Sequence, residues 1–418
     1  MTRAALVFVL VLALTARASE PPLSYSAALT TIVDRHPDVG RQKAQIDLVR
    51  AQTLSTRLAM LPSVSLFARQ DSRHEFGLGA NRQGVGASLD VNLFRFGGDF
   101  RGMQAAHREI EAEELQLGST QIRIERLAVD ALNDWMLSAQ EVEIIARVFK
   151  WREDLLEIGK KRFSRGLIPQ QEVDRIAIDW ENDKATMRDA QTTAIRATAL
   201  LDQLLGHHSV ENQWPWKDVL VKGTFSKADA ERELANRPDW RTAEKRWSAA
   251  QARASQSWAS ILPSLDFNVS YGYFRSTISG TVSDRAEYST SLALTIPLFD
   301  RLSAYGAYSA QTETAKQAEL ELERVRRQAR NEWDSARGAL SLSVDTALAR
   351  EKTLGVSRKL YDDNVRRFER GLADANALSL EQQRLLQSEQ LAVRGWAAAH
   401  ATLAQYCFAK GLRTGNCF

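Results

Sequence analysis

The sequence predicts a mainly α chain with a transmembrane β part, and three observations carry that reading. The chain of 418 residues repeats itself at a spacing near 200 residues. Each half holds a pair of alternating segments that read as strands, and each strand pair is followed by a very long tract without proline. With 9 prolines and 22 glycines there is little punctuation, so the helices should be long. Apolar residues make up 44% of the chain, enough to exclude a disordered polymer. Lys plus Arg number 55 against 52 Asp plus Glu, which lacks the basic excess of a nucleic-acid binder.

Residues 1–18 read as a secretory signal peptide. Arg3 precedes an apolar run from Ala4 to Ala16, and Ala16-Arg17-Ala18 is a small-x-small cleavage site. Its removal takes away two arginines and lowers the formal charge from +3 to +1. No later stretch has the roughly 18 to 20 consecutive apolar residues of a membrane helix, so any passage through a bilayer must be made by strands.

The duplication is read from paired motifs. His36-Pro37-Asp38 recurs as Arg237-Pro238-Asp239, and Leu61-Pro62-Ser63 as Leu262-Pro263-Ser264, at an offset of 201. Leu93-Phe94 recurs as Leu298-Phe299, and Lys161-Arg162-Phe163-Ser164-Arg165-Gly166-Leu167 as Arg366-Arg367-Phe368-Glu369-Arg370-Gly371-Leu372, at 205. The change is one four-residue insertion. The domain boundaries that follow are 19–222 for the first repeat and 223–418 for the second.

Each repeat opens with a short amphipathic helix, with Ser24 or Ser26, and Ser226, as cap candidates. It ends before Pro37 or Pro238. Asp38 and Asp239 are positioned to cap a second helix that runs to Pro62 or Pro263. Four strands of about 8 to 11 residues follow, two per half. Val85, Ala87, Leu89, Val91 and Leu93 alternate with small or polar residues, as do Leu265, Phe267, Val269, Tyr271 and Tyr273. Tyr288, Thr290, Leu292, Leu294 and Ile296 form a third run, and Val64, Leu66 and Ala68 a weaker one. Such lengths suit a tilted transmembrane strand, with Leu89, Val91, Phe267 and Val269 toward lipid and Asp90, Asn92, Asp266 and Asn268 toward a lumen. Four strands are too few to close a barrel, the smallest having eight, so the strands must be shared between chains; three chains give twelve.

Gly98 to Arg165 and Arg301 to Arg370 then form the long helical tracts. In the second, Ala318, Leu322, Val325, Ala329, Ala336, Ala339 and Ala347 follow coiled-coil spacing, while Glu319, Glu321, Arg324 and Arg326 read as solvated surface. Each tract turns at Arg-Gly-Leu, and a helix returns to Gly206 or Gly411. Cys407 and Cys417, the only cysteines, are either a disulfide closing a short loop or two free thiols. No Walker loop, HExxH or GxSxG is present, so no catalytic, cofactor or metal residue is assigned; adjacent His207 and His208 are either a weak metal site or an incidental loop pair. Trp214 and Trp216 fall in the linker between the halves.

Over nearly the whole mature chain these features resemble the TolC family of outer-membrane efflux proteins. The residues that carry the resemblance are Ala28-Leu29 ahead of His36-Pro37, Leu61-Pro62-Ser63, Asn92-Leu93-Phe94, Arg162 to Leu167, and their second-half copies. The resemblance implies a homotrimer with a twelve-stranded β-barrel among outer-membrane lipids, continued by an α-barrel of coiled-coil hairpins through the periplasm. It implies a passive exit channel served by a periplasmic adaptor and an inner-membrane pump of RND or ABC type, or a type I secretion transporter. Adaptor contact would fall on Arg165, Gly166, Leu167, Arg370, Gly371 and Leu372. Where many members carry gate aspartates this chain has Ala377 and Leu380, leaving Asp374 and Glu381 as the nearest carboxylates. Either one of those two forms a threefold acidic ring in the closed channel, or they serve as a helix cap and a wet surface. A soluble periplasmic coiled-coil scaffold is the alternative function; it has no use for four bilayer-length strands.

Overall fold

A computed structural model describes residues 22–75, 78–206, 210, 211, 214, 220, 234–278, 281–299, 302–370 and 375–417. The signal peptide, His207, His208, Trp216, Ser226, Gly371, Leu372 and Asp374 lie outside them. In the first half, α1 (Tyr25–Arg35), α2 (Pro37–Gln52) and a single turn α3 (Leu54–Arg57) precede β1 (Ser63–Glu75) and β2 (Leu78–Phe94); α4 (Gly98–Ser164) and α5 (Gln170–Leu205) follow. The second half repeats the order with α6 (Pro238–Ala259), β3 (Ser264–Ile278), β4 (Thr281–Thr295), α7 (Ser303–Glu369) and α8 (Ala375–Ala409). A 3₁₀ turn at Thr414–Asn416 ends the chain.

Local chemistry sets most boundaries. Ser24 is the N-cap of α1, its hydroxyl accepting from Ala27 N at 3.3 Å. The N-cap position expected of Asp239 falls on Arg237, whose side chain makes no capping bond: Pro238 takes the first helical position, which needs no N–H, and Asp239 falls inside the first turn. There Asp239 Oδ1 accepts from Trp240 N at 2.9 Å, and Arg237 Nη2 donates to its Oδ2 at 2.7 Å. Asp38 likewise lies in the first turn of α2.

The residues fall into two compact units, each drawn from both halves of the chain. One comprises Arg41–Ser119 and Ala235–Ala329. It holds the sheet, whose order is β1-β2-β3-β4 and whose pairings are all antiparallel. The strands have 13, 17, 15 and 15 residues, longer than the 8 to 11 that alternation predicts. The reason is that the ladder continues past the apolar alternation into polar segments such as Arg69-Gln70-Asp71, where backbone pairing needs no apolar face. In the same unit α4 approaches α6 closely, since a Cβ on Gly98 would meet Ala259 Cβ at 2.9 Å. Arg253, Arg246 and Lys245 of α6 pair with Glu109, Glu113 and Glu111 of α4.

The other unit comprises the described parts of Met1–Gly40, Thr120–Leu234 and Arg330–Phe418. Ile32, Val33, Ile124, Leu132, Met136, Trp333, Leu340 and Leu403 are fully buried in it. Every such side chain contributes about 1.5 to 3 kcal/mol on burial. Of the seam expected along α7, Leu322, Ala329, Ala336 and Ala347 are buried and Ala318, Val325 and Ala339 half-buried, while Trp333 and Leu340 join the stripe at heptad spacing. Trp333 packs on Tyr406 with ring centroids 5.1 Å apart. No described helix is long and apolar enough to cross a membrane.

Candidate functional site

The sheet has two chemically distinct faces. Register aligns Val64, Leu89, Val269 and Thr290 in one row, and Leu66, Ala87, Tyr271 and Tyr288 in the next. Many of these side chains are open, Leu66 at 86% and Tyr288 at 81%. The opposite face carries Ser63, Asp90, Asn268 and Ser291, then Ser65, Ser88, Ser270 and Ser289. The four residues expected on a lumen all fall on this polar face. They pair with one another: Asn92 Nδ2 donates to Asp266 Oδ1 at 2.6 Å, and Asn268 Nδ2 to Asp90 Oδ1 at 2.5 Å. Each amide thus satisfies a carboxylate directly across the ladder, and the strand register is fixed by chemistry as well as by the pleat.

The tip between α4 and α5 is a Schellman turn. Leu167 N donates to Arg162 O at 3.0 Å and Gly166 N to Phe163 O at 2.8 Å, with Gly166 at φ +70°. This turn leaves Phe163 42% and Leu167 67% exposed. Of the second tip, Arg370 is described and exposed, its N–H bonded to Arg366 O. Gly371 and Leu372 lie outside the described residues, as does Asp374. Glu381, the other gate candidate, lies near the start of α8, where it pairs with Arg384 and its side chain is 14% exposed.

Behind the first tip, Leu155, Leu156, Val173 and Ile176 form a small core, with Trp151, Ile168 and Trp180 against it. Arg152 is buried beside that core, its side chain 1% exposed. Its Nε donates to Asp183 Oδ2 at 2.9 Å, while Nη1 reaches Asp179 Oδ2 at 3.4 Å and Ser379 Oγ at 2.7 Å. One guanidinium therefore ties α4, α5 and α8 together.

Arg152 is the first rung of a polar ladder between α4 and the antiparallel α8. Arg147 pairs with Glu389 at 3.2 Å, and Glu141 accepts from Arg394 at 2.6 Å. Asn133 Oδ1 lies 2.9 Å from His400 Nδ1, and Glu125 receives the C-terminal segment through Thr414 N at 2.7 Å and the Arg413 guanidinium. His400 is held down to about 3 by burial, so it stays neutral. Cys407 and Cys417 form a disulfide, which ties the same segment to the end of α8.

None of these rungs was singled out by sequence reasoning. A signal existed for Arg152: Leu155 and Leu156, three and four residues on, place it on the buried stripe of α4. Among the described residues no cluster of three or more His, Cys, Asp or Glu side chains is placed to hold a metal ion.

Comparison with known proteins bears on the same architecture. The family model described as outer membrane efflux protein matches residues 28–207 and again 230–405. No curated protein matches the chain. Among solved structures, CusC superposes with a TM-score of 0.81 at 15% identity, covering 93% of this chain and 92% of that one. VceC from Vibrio cholerae, an outer membrane protein, gives 0.79 at 15% identity, over 93% and 96%. The open state of the MtrE outer membrane channel from Neisseria gonorrhoeae gives 0.75 at 17%, over 93% and 89%. At these identities the likeness is one of fold.

Proposed function

The chain belongs to the outer membrane efflux protein family, and from that premise we propose that three copies assemble into a passive exit channel in the outer membrane. The observation that carries this reading is the sheet itself. Its apolar face is open, and β1 and β4 are edge strands whose backbone groups lack a partner in the sheet. Lipid satisfies the first condition, and β1 of one copy adding to β4 of the next satisfies the second. A soluble scaffold would leave both exposed.

In the assembled channel the polar face lines the pore, and Asp90, Asn92, Asp266 and Asn268 wet its wall. The helical tips lie at the periplasmic end. Phe163 and Leu167, held outward by the Gly166 turn, offer an apolar knob for a periplasmic adaptor; Arg165 and, at the second tip, Arg370, Gly371 and Leu372 complete the contact. An inner-membrane pump of RND or ABC type supplies the energy. Asp374 and Glu381 remain the candidates for an acidic ring at the gate, and 19–222 and 223–418 are the copies of one duplicated unit.

The test is assembly and conduction. Mature protein extracted in detergent should run at three times the chain mass and give discrete channels in planar lipid bilayers. Leu167→Glu should abolish adaptor co-purification and leave the channels intact. A monomer that stays dissolved without detergent would overturn the reading.

A further inference from the structure

The polar face of the sheet carries two residues that do not suit a watery wall. Phe67 and Phe274 project from it, with ring centroids 6.2 Å apart. Both lie over glycine: a Cβ on Gly84 would come within 2.1 Å of Phe274 Cδ1, and one on Gly86 within 2.7 Å of Phe67 Cζ. Gly272 completes the floor, since its Cβ would meet Phe274 Cε2 at 3.0 Å. These glycines are what let the rings lie down on the strands.

The Phe274 ring is capped by charge. The guanidinium of Arg82 sits over the Phe274 ring, 4.3 Å from its centroid, and reaches across to pair with Glu287 on β4. Glu287 also accepts from Arg285 Nε at 2.7 Å. Two arginines thus share one carboxylate. Taking the three rows from Phe67 to Asp71, the polar face holds Arg69, Arg82 and Arg285 against Asp71 and Glu287, an excess of one positive charge. The rows nearer the helices hold Asp90 and Asp266 instead. Charge on this face is segregated along the strands.

We propose that Phe67, Phe274 and Arg82 build a belt on the pore wall toward the hairpin end of the barrel, which narrows the pore there and favours anions. The proposal rests on the trimeric channel read above, in which three copies bring three ring pairs, each with an arginine over Phe274, and three excess positive charges around one axis. An arginine held over a ring keeps its charge at a fixed height, and charge rings at fixed height select ions. Glycine floors keep the rings against the wall, so their position sets the bore.

The experiment is the zero-current potential and single-channel conductance of purified trimers in planar bilayers under a potassium chloride gradient. Arg82→Gln should shift the potential toward the potassium equilibrium value, and Glu287→Gln should shift it toward chloride. Shifts in opposite directions cannot come from a general loosening of the barrel. Gly84→Ala should lower conductance by lifting the Phe274 ring off the wall, and in a Phe274→Ala background the same change should have no effect. Wild-type channels whose selectivity is the same in both glutamine variants would overturn the belt while leaving the channel reading standing. Failure of the wild-type protein to form any channel would overturn both.

Discussion

Arg152 donates from Nε to Asp183 Oδ2 at 2.9 Å with only 1% of its side chain exposed, whereas the two carboxylates it holds, Asp179 and Asp183, remain 31% and 22% exposed. This asymmetry predicts an order of damage. Arg152→Ala leaves two carboxylates that water can reach, at a cost of about 3 kcal/mol. Asp179→Ala with Asp183→Ala strands a buried guanidinium and should cost more, toward about 5 kcal/mol. Denaturant midpoints of the detergent-solubilised protein measure both. The reverse order would mean that the burial of Arg152 is not what makes the pair matter.

The facing of the strands gives a second expectation. Leu66→Arg places a charge on the apolar face in the row of Ala87, Tyr271 and Tyr288, two rows farther from the helices than Phe267, and should cost about 2 to 4 kcal/mol in the stability of the proposed trimer. Phe267→Arg, on the same face but near the helix end of β3, should cost less, and Asn268→Arg on the polar face least. Heat-resistance of the trimer on gels ranks the three. Equal losses for Phe267 and Asn268 would overturn the assignment of lipid and lumen.

The C-terminal segment is held twice, by the Cys407–Cys417 bridge and by Glu125, and the two holds act on different states. The disulfide restricts the unfolded chain across a separation of 10 residues, worth roughly 2 to 3 kcal/mol in the chain-entropy model. Glu125 acts in the folded state, where it accepts from Thr414 N, Thr414 Oγ1 and Arg413. Reductant should therefore lower the melting temperature of the wild-type protein and leave Cys407→Ser unchanged. Glu125→Ala should lower it in either background.

Sequence alone made the strands, the long tracts and the Gly166 turn legible because each is a local pattern: alternation, absence of proline, a glycine ending a basic run. It fell short where meaning depends on a distant partner. Arg152 meets Ser379 across 227 residues and Glu125 meets Thr414 across 289, and nothing in either neighbourhood names the other end. Phe67 follows Ser63 and Ser65 on the face opposite Val64, Leu66 and Ala68, and nothing local gives it a partner. Only register, which puts it in one row with Gly86 and Gly272, turns it into a fitted contact. Strand length was underestimated because the ladder outlasts the apolar alternation.

His400 predicts a pH dependence with a definite sign. Burial lowers it from 6.5 to about 3 in the folded chain, so between those values the unfolded chain binds the extra proton. Stability from this group is complete above about pH 6.5 and declines as pH falls toward 3, by on the order of 5 kcal/mol over the whole span. Asp130 and Asp134, raised by burial, act in the opposite sense: they take up protons more readily in the folded state, and that stabilises it as pH falls. In His400→Gln the neutral partner of Asn133 is kept and the titration removed. Denaturant midpoints at pH 7 and pH 4.5 should lie closer together in the variant than in the wild-type protein.

The two strand-to-helix junctions carry the last expectation, since a glycine in the first stands where the second has a leucine. Gly97 has φ +76° and its carbonyl accepts from Arg101 N at 2.9 Å; at the repeat offset of 205, Leu302 has φ +63° and accepts from Gly306 N at 2.8 Å. The left-handed backbone is free for glycine and costs an L side chain about 1 to 2 kcal/mol. Leu302 is 66% exposed in the chain, so its own packing does little to offset that strain. Leu302→Gly should therefore stabilise the isolated chain by about 1 kcal/mol, the strain relief less the added freedom of glycine when unfolded. Gly97→Leu should cost the corresponding amount, because a Cβ there meets nothing within 4 Å and the loss is backbone strain alone. If Leu302→Gly instead weakens the trimer while the refolded monomer gains stability, the leucine is retained for a contact between copies.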